Sequence, residues 1–240
     1  MIFRQLFEPD TCTYTYLLGC EFTQKAILID SVNSEAEIYI EMLDELGLKL
    51  IYTLETHVHA DHVTAAGYLR DTLGSKSVVH RDAGAMCADL LVTDGVNLQV
   101  GEIEIKVLHT PGHTSGCTSF IIENRLFSGD SLLINGCGRT DFQQGDSATM
   151  YDSVTQKLFT LPPDTLVYPG HNYSGIRVST IAQEKALNSR LGGNKSKQEF
   201  IEIMDNLDLA YPQHIDQALP ANQSCGQPNA NAPSSAPRQG

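Results

Sequence analysis

Hydrophobic residues come in short runs whose period changes along the chain. Positions 13–18 and 26–30 are dense in β-branched, aromatic and aliphatic side chains and predict two strands joined by a turn. Ser34 with Glu37 three residues later reads as a capping box. Ile40, Leu43 and Leu46 follow at helical spacing, and Gly47 supplies the stop. Residues 50–54 form a short apolar strand, then the chain turns polar and histidine-rich. A helix is expected from about 63 to 73, ended by Gly74. A strand is expected over 77–80, and a helix capped by Asp82 up to about Leu90.

Beyond residue 100 the period drops to two. Ile103, Ile105 and Val107 alternate with Glu102, Glu104 and Lys106, the mark of a half-buried strand. Residues 120–122 and 125–128 predict a hairpin through Glu123 and Asn124. Met150, Tyr151, Val154 and Leu158 share one face of a helix, and 166–168 form a last strand. The remainder reads as helical and carries a second capping box, Ser196 with Glu199. Strands with helices between and outside them indicate a layered α/β protein. One domain is expected over residues 1–226. The stretch 227–240, rich in Pro, Ala, Ser and Asn and without an apolar anchor, is expected to be a disordered tail.

Composition narrows the partners. With 29 acidic against 16 basic residues the net charge is −13, which argues against nucleic acid and anionic membranes. No apolar run reaches the roughly 18 residues of a membrane span, and residues 1–10 lack the apolar core of a signal peptide. A soluble cytoplasmic protein is expected, with an organellar setting as the alternative. The six cysteines, at 12, 20, 87, 117, 137 and 225, form no C-x-x-C pair and are expected to be free thiols.

The chemistry is concentrated in His57-x-His59-x-Asp61-His62, where a strand gives way to a turn. Residues two apart on an extended segment project to the same side, so His57 and His59 can address one point. Imidazole and carboxylate together suit a transition metal. Three further segments repeat one device, a short strand followed by a glycine turn and a ligand-type side chain. They are 110–114 with His113, 127–130 with Asp130 and 168–171 with His171. His80, His109 and His214 lack that device and are read as structural.

THVHADH at 56–62, TPGHT at 110–114, SGD at 128–130 and PGH at 169–171 resemble the metallo-β-lactamase superfamily. The resemblance implies a four-layer αββα sandwich with a metal site at one edge between two sheets. It leaves the reaction open, since the superfamily includes hydrolases and oxygen-handling enzymes. RQLFEPDTCTYTYLLG (4–19), GDSLLINGCGRTDFQQGD (129–146), IEIMDNLDL (201–209) and LPANQSCG (219–226) are similar to the persulfide dioxygenase family.

That second resemblance implies oxidation of glutathione persulfide by O2 and water to sulfite and glutathione, at one Fe(II) per chain. It makes His57, His113 and Asp130 the metal ligands, the two-histidine, one-carboxylate set of Fe(II) oxygenases. His59, Asp61, His62 and His171 then orient those ligands by hydrogen bonds. Arg139 is the candidate partner for a substrate carboxylate, with a salt bridge to Asp141 as its alternative use. Tyr173 is a candidate donor to substrate, and Cys137 a thiol close to the pocket. Homodimers are common in the family and compatible with the resemblance. The alternative is a dinuclear glyoxalase II-type hydrolase of S-lactoylglutathione, which uses all seven ligand positions. The short segment after His171 speaks against the helical domain such hydrolases carry.

Overall fold

The structure, a computed structural model, describes residues 1–227. Beyond Gln227, the expected tail lies outside the described residues. Two six-stranded sheets stack face to face. The first has β1 (Ile2–Glu8), β2 (Thr13–Cys20), β3 (Lys25–Ile29), β4 (Lys49–Leu54), β5 (Lys76–His80) and β6 (Leu90–Val92), side by side in chain order. Its first three strands are antiparallel, and β3 to β6 run parallel. The second sheet runs β12 (Ser179–Thr180), β11 (Leu166–Pro169), β10 (Arg125–Gly129), β9 (Thr118–Ile122), β8 (Ile103–His109), β7 (Asn97–Val100).

Strand β2 is buried along its whole length because it is covered on both faces. Tyr14, Tyr16 and Leu18 point between the sheets, where they meet Ile105, Val107, Phe120 and Phe127. Leu17 points outward to Tyr39, Leu43 and Leu69 of helices α1 (Ala36–Glu45) and α2 (Ala66–Leu73). On the far side, Leu126 and Val167 pack under α3 (Ser147–Gln156), α4 (Ile181–Leu187) and α5 (Lys197–Asp205), through Met150, Val154, Ile181 and Phe200. The order helix, sheet, sheet, helix is the expected αββα sandwich. A last helix, α6 (Ile215–Asn222), returns to the first half of the chain.

The structure corrects several expectations. Asp82 opens no helix: Arg81–Ala83 is one 3-10 turn, and Gly84, at φ +77°, ends it. Ser34 lies inside a 3-10 turn (Asn33–Glu35) and makes no cap, so α1 starts at Ala36. Helix α2 starts three residues later than predicted, because residues 57–65 are held as a loop by side chains from elsewhere. The pattern also left β1, β6, β7 and β12 unmarked; they are short or half-buried edge elements without a clean alternation.

The cysteines are corrected as well. Cys87 and Cys225 form a disulfide across a separation of 138 residues, while Cys12, Cys20, Cys117 and Cys137 are free. A pair so distant in sequence has no local spacing signal. Among the described residues no helix is long and apolar enough to cross a membrane.

Candidate metal centre

Strands β10 and β11 are parallel, and β8 is parallel to both through the intervening antiparallel β9. Their C-terminal ends therefore meet at one edge. His113 follows β8, Asp130 follows β10 at once, and His171 lies two residues past β11. The loop after β4 brings His57, His59, Asp61 and His62 from the opposite sheet. Two bonds tie the sheets at this edge: Tyr14 N–H donates to Gly170 O (2.8 Å), and Tyr16 O–H to Pro169 O (2.6 Å). The glycines are needed for closeness. A Cβ on Gly170 would stand 2.7 Å from Asp130 Oδ1, and one on Gly129, at φ +51°, 2.5 Å from Thr56 Oγ1.

His57, His113 and Asp130 each offer a ligand atom, all within 4.8 Å of one another. Which imidazole nitrogen is free follows from what holds the other. His113 Nδ1 lies 2.6 Å from the carbonyl oxygen of Arg139, which can only accept, so Nδ1 carries the proton. Nε2 is left with its lone pair, 3.7 Å from Asp130 Oδ2. Thr56 Oγ1 donates to Asp30 Oδ2 (2.8 Å) and so accepts from His57 Nδ1 (3.0 Å), which leaves His57 Nε2 free in the same way. Burial, reinforced by the imidazoles of His59 and His113, pushes the His57 pKa well below the ordinary histidine range. A neutral imidazole is the form that binds metal. Asp130 Oδ1 is buried without a hydrogen-bond partner among the described residues. A cation satisfies such an orphan, so this donor set fits a metal ion.

His59, Asp61 and His62 form a second group beside the first. His59 turns Nε2 away, toward Asp30 Oδ1 (3.1 Å) and Glu55 Oε2 (3.4 Å). Burial opposes its charge, but the carboxylates of Asp30 and Glu55 outweigh burial and raise its pKa well above the ordinary value. His62 Nδ1 donates to Asp61 Oδ2 (2.8 Å). His171 Nε2 lies 3.6 Å from both Asp61 Oδ2 and Asp130 Oδ1, so it bridges the two groups. Burial alone would raise the Asp61 pKa, yet His62 and His171 hold it well below the carboxylate range.

A cavity of about 460 Å³ opens over His113 and Asp130, with Asp61 and His171 also on its wall, while His57 lies behind them and does not line it. Arg139, Phe142, Tyr173, Arg190, Leu209 and Ile215 are among its walls. Arg139 is committed. Its Nε and Nη2 grip Asp141 (2.6 and 2.7 Å), Nη1 donates to Ala210 O (2.7 Å), and the guanidinium lies over Phe142. Tyr173 is 76% exposed at the rim, its ring parallel to that of His171. Cys137 is buried, and burial pushes its thiol up to about 11, so it stays protonated and weakly nucleophilic at neutral pH.

Sequence reasoning missed two groups on this cavity. Arg190 donates from Nη1 to Cys137 O (2.6 Å), and among the described residues no carboxylate pairs with it. His214, read as structural, stands on the cavity wall. No motif surrounds either; only the return of the C-terminal segment places them. His80 and His109 stay outside the centre and stack on each other.

A family model described as Metallo-beta-lactamase superfamily matches residues 13–171, more than half of the chain. The persulfide dioxygenase ETHE1, mitochondrial, of Mus musculus is 49% identical over 229 residues, covering 94% of this chain and 89% of its own. The crystal structure of ETHE1 from Myxococcus xanthus superposes with a TM-score of 0.93 at 50% identity, covering 95% of this chain and all of that one. Glyoxylase B2 of Dictyostelium discoideum is more distant, at 28% identity over 92% of this chain and 89% of its own. The chain belongs to the metallo-beta-lactamase superfamily and, within it, to the family of the persulfide dioxygenases.

Proposed function

We propose that the protein is a glutathione-dependent persulfide dioxygenase with one Fe(II) held by His57, His113 and Asp130. The observation that carries this reading is the near-full-length similarity to persulfide dioxygenases. The reaction balances as glutathione persulfide plus O2 plus water giving glutathione, sulfite and two protons. A redox-active iron supplies the activation of O2, whose triplet ground state slows direct reaction with a closed-shell persulfide.

The chain's own residues bind and orient. Two imidazoles and one carboxylate would hold the ion, with His113 and Asp130 facing the cavity where substrate could reach it. His59, Asp61, His62 and His171 surround that site as hydrogen-bonding and charged neighbours. The cavity walls mix apolar surface from Phe142, Leu209 and Ile215 with the guanidinium of Arg190, which faces no carboxylate of its own among the described residues. A glutathionyl group, with carboxylates at both ends, suits such a pocket in an otherwise acidic protein. Arg139 serves through its backbone carbonyl on His113 and through its grip on Asp141 and Ala210, which shapes the wall. Tyr173 offers a hydroxyl at the rim.

A dinuclear thioester hydrolase is the second reading, favoured by the gathering of His59, Asp61 and His62 beside the first triad and by the buried His59 Nδ1 and His62 Nε2, which lack hydrogen-bond partners among the described residues. One pair of assays decides. Metal analysis of the purified protein is expected to find about one iron per chain, with O2 consumed and sulfite formed on addition of glutathione persulfide. Two zinc ions per chain with hydrolysis of S-lactoylglutathione would make the protein a hydrolase instead.

A further inference from the structure

The loop that carries His57, His59, Asp61 and His62 has no regular structure between β4 and α2, yet most of its residues are buried. Buried carbonyl and N–H groups need partners. Some come from nearby: Val63 O accepts from Asn33 N–H (2.8 Å), and Ala65 N–H donates to Ser31 O (2.9 Å). The carbonyls of His59 and His62 find no backbone N–H among the described residues. Both are served by one side chain from the far end of the chain. Asn222 Nδ2 donates to His59 O (2.8 Å) and to His62 O (2.7 Å), and its Oδ1 accepts from Thr64 N–H (2.9 Å). Asn222 is the last residue of α6 and is only 4% exposed.

The surrounding contacts keep it there. Gly67 N–H donates to Cys225 O (2.8 Å), and Cys225 is bonded to Cys87. Gly226, at φ +78°, lies so close that a Cβ would stand 2.0 Å from Thr64 O. We infer that Asn222 is a positioning residue of the metal centre. Its amide fixes the two peptide groups between which Asp61 sits, and so sets the directions of His57, His59, Asp61 and His62 together. An amide is required. Two acceptors and one donor face it, and neither a hydrocarbon nor a carboxylate side chain matches that pattern. The inference rests on the reading of this site as a metal centre and is independent of which substrate is oxidised.

Cobalt(II) titration of the metal-depleted full chain tests it, with visible absorption as the readout and a competing chelator to give the Kd. Asn222→Ala is expected to weaken Co(II) binding about 10- to 100-fold and to change the ligand-field bands. Asn222→Asp keeps the volume and the Thr64 bond but loses both donors. It is expected to do the same, and it serves if the alanine variant does not fold. Gln227→Ala cuts the bond from the residue after Gly226 to Asp71 without touching the loop and is expected to bind Co(II) as wild type does. If both Asn222 variants melt at lower temperature yet keep the wild-type affinity and spectrum, Asn222 is only a structural anchor and the inference falls. If the wild-type chain itself binds no Co(II), the metal-centre reading fails instead.

Discussion

At the scale of single residues, the difference between a histidine poised to hold a metal and a structural one is the direction of its free nitrogen. His57 and His113 each have Nδ1 occupied, by Thr56 and by the Arg139 carbonyl, so both Nε2 lone pairs turn toward Asp130. His80, Asp82 and His109 also cluster within metal-binding reach of one another. Their two rings, however, stack in parallel at 3.8 Å with 11° between planes. Metal ligation uses lone pairs in the ring plane, and two parallel planes share no point. That pair has a different consequence. Burial, with His109 beside it, pushes the His80 pKa from 6.5 down to about 4. The unfolded chain takes up this proton near pH 6.5, whereas the folded chain holds His80 neutral until about 4. Stability from this site is thus fully present above the unfolded value and is lost as pH falls from about 6.5 to about 4. His80→Gln is expected to flatten that part of the acid limb when melting temperature is followed against pH. Parallel curves for variant and wild type would show that His80 contributes nothing to the acid limb.

At the scale of elements, the site exists because three strands of one sheet point the same way and end together. Much of this was legible: a run of β-formers, a glycine, then a ligand-type side chain at 113, 130 and 171. The glycines are legible for a physical reason, since Gly129 and Gly170 stand where any Cβ would strike Thr56 or Asp130. The role of Asn222, the placement of Arg190 and the Cys87–Cys225 link were not legible, because each depends on where the last helix returns. Local signals failed where a neighbour overrode them. Ser34 and Ser196 both read as capping boxes, but only Ser196 forms one, its hydroxyl accepting from Glu199 N–H while Glu199 accepts from Ser196 N–H. Ser196→Ala is therefore expected to lower the unfolding free energy by about 1 kcal/mol. Ser34→Ala should stay within about 0.5 kcal/mol of wild type. Urea unfolding of the two variants side by side checks the contrast.

At the scale of the whole molecule, the two halves are joined at the edge where His57, His113 and Asp130 gather and again by the chain's return. Cys87 lies between β5 and β6 of the first sheet, and Cys225 just past α6. The segment between them, at a sequence separation of 138, contains the whole second sheet with α3, α4 and α5, so the disulfide closes that half of the protein into one ring. Cross-linking a loop of that length removes much conformational freedom from the unfolded chain, and the stabilisation is about 2–5 kcal/mol. The same bond pins the segment whose Asn222 holds the histidine loop and whose residues 209–215 wall the cavity. Loss of the link should therefore act at two levels. Cys87→Ser, or reduction of the wild type with dithiothreitol, is expected to lower the unfolding free energy by that amount in guanidinium titration. Hydrogen exchange should rise first in residues 209–227 and in the loop at 57–65, before it rises in the strands between the sheets. Reductant should add nothing to the effect of Cys87→Ser, since both remove one constraint. A wild-type transition that is indifferent to reductant would show that packing alone, through Asn222, Gly67 and Gly226, holds the C-terminal segment 209–227 in place.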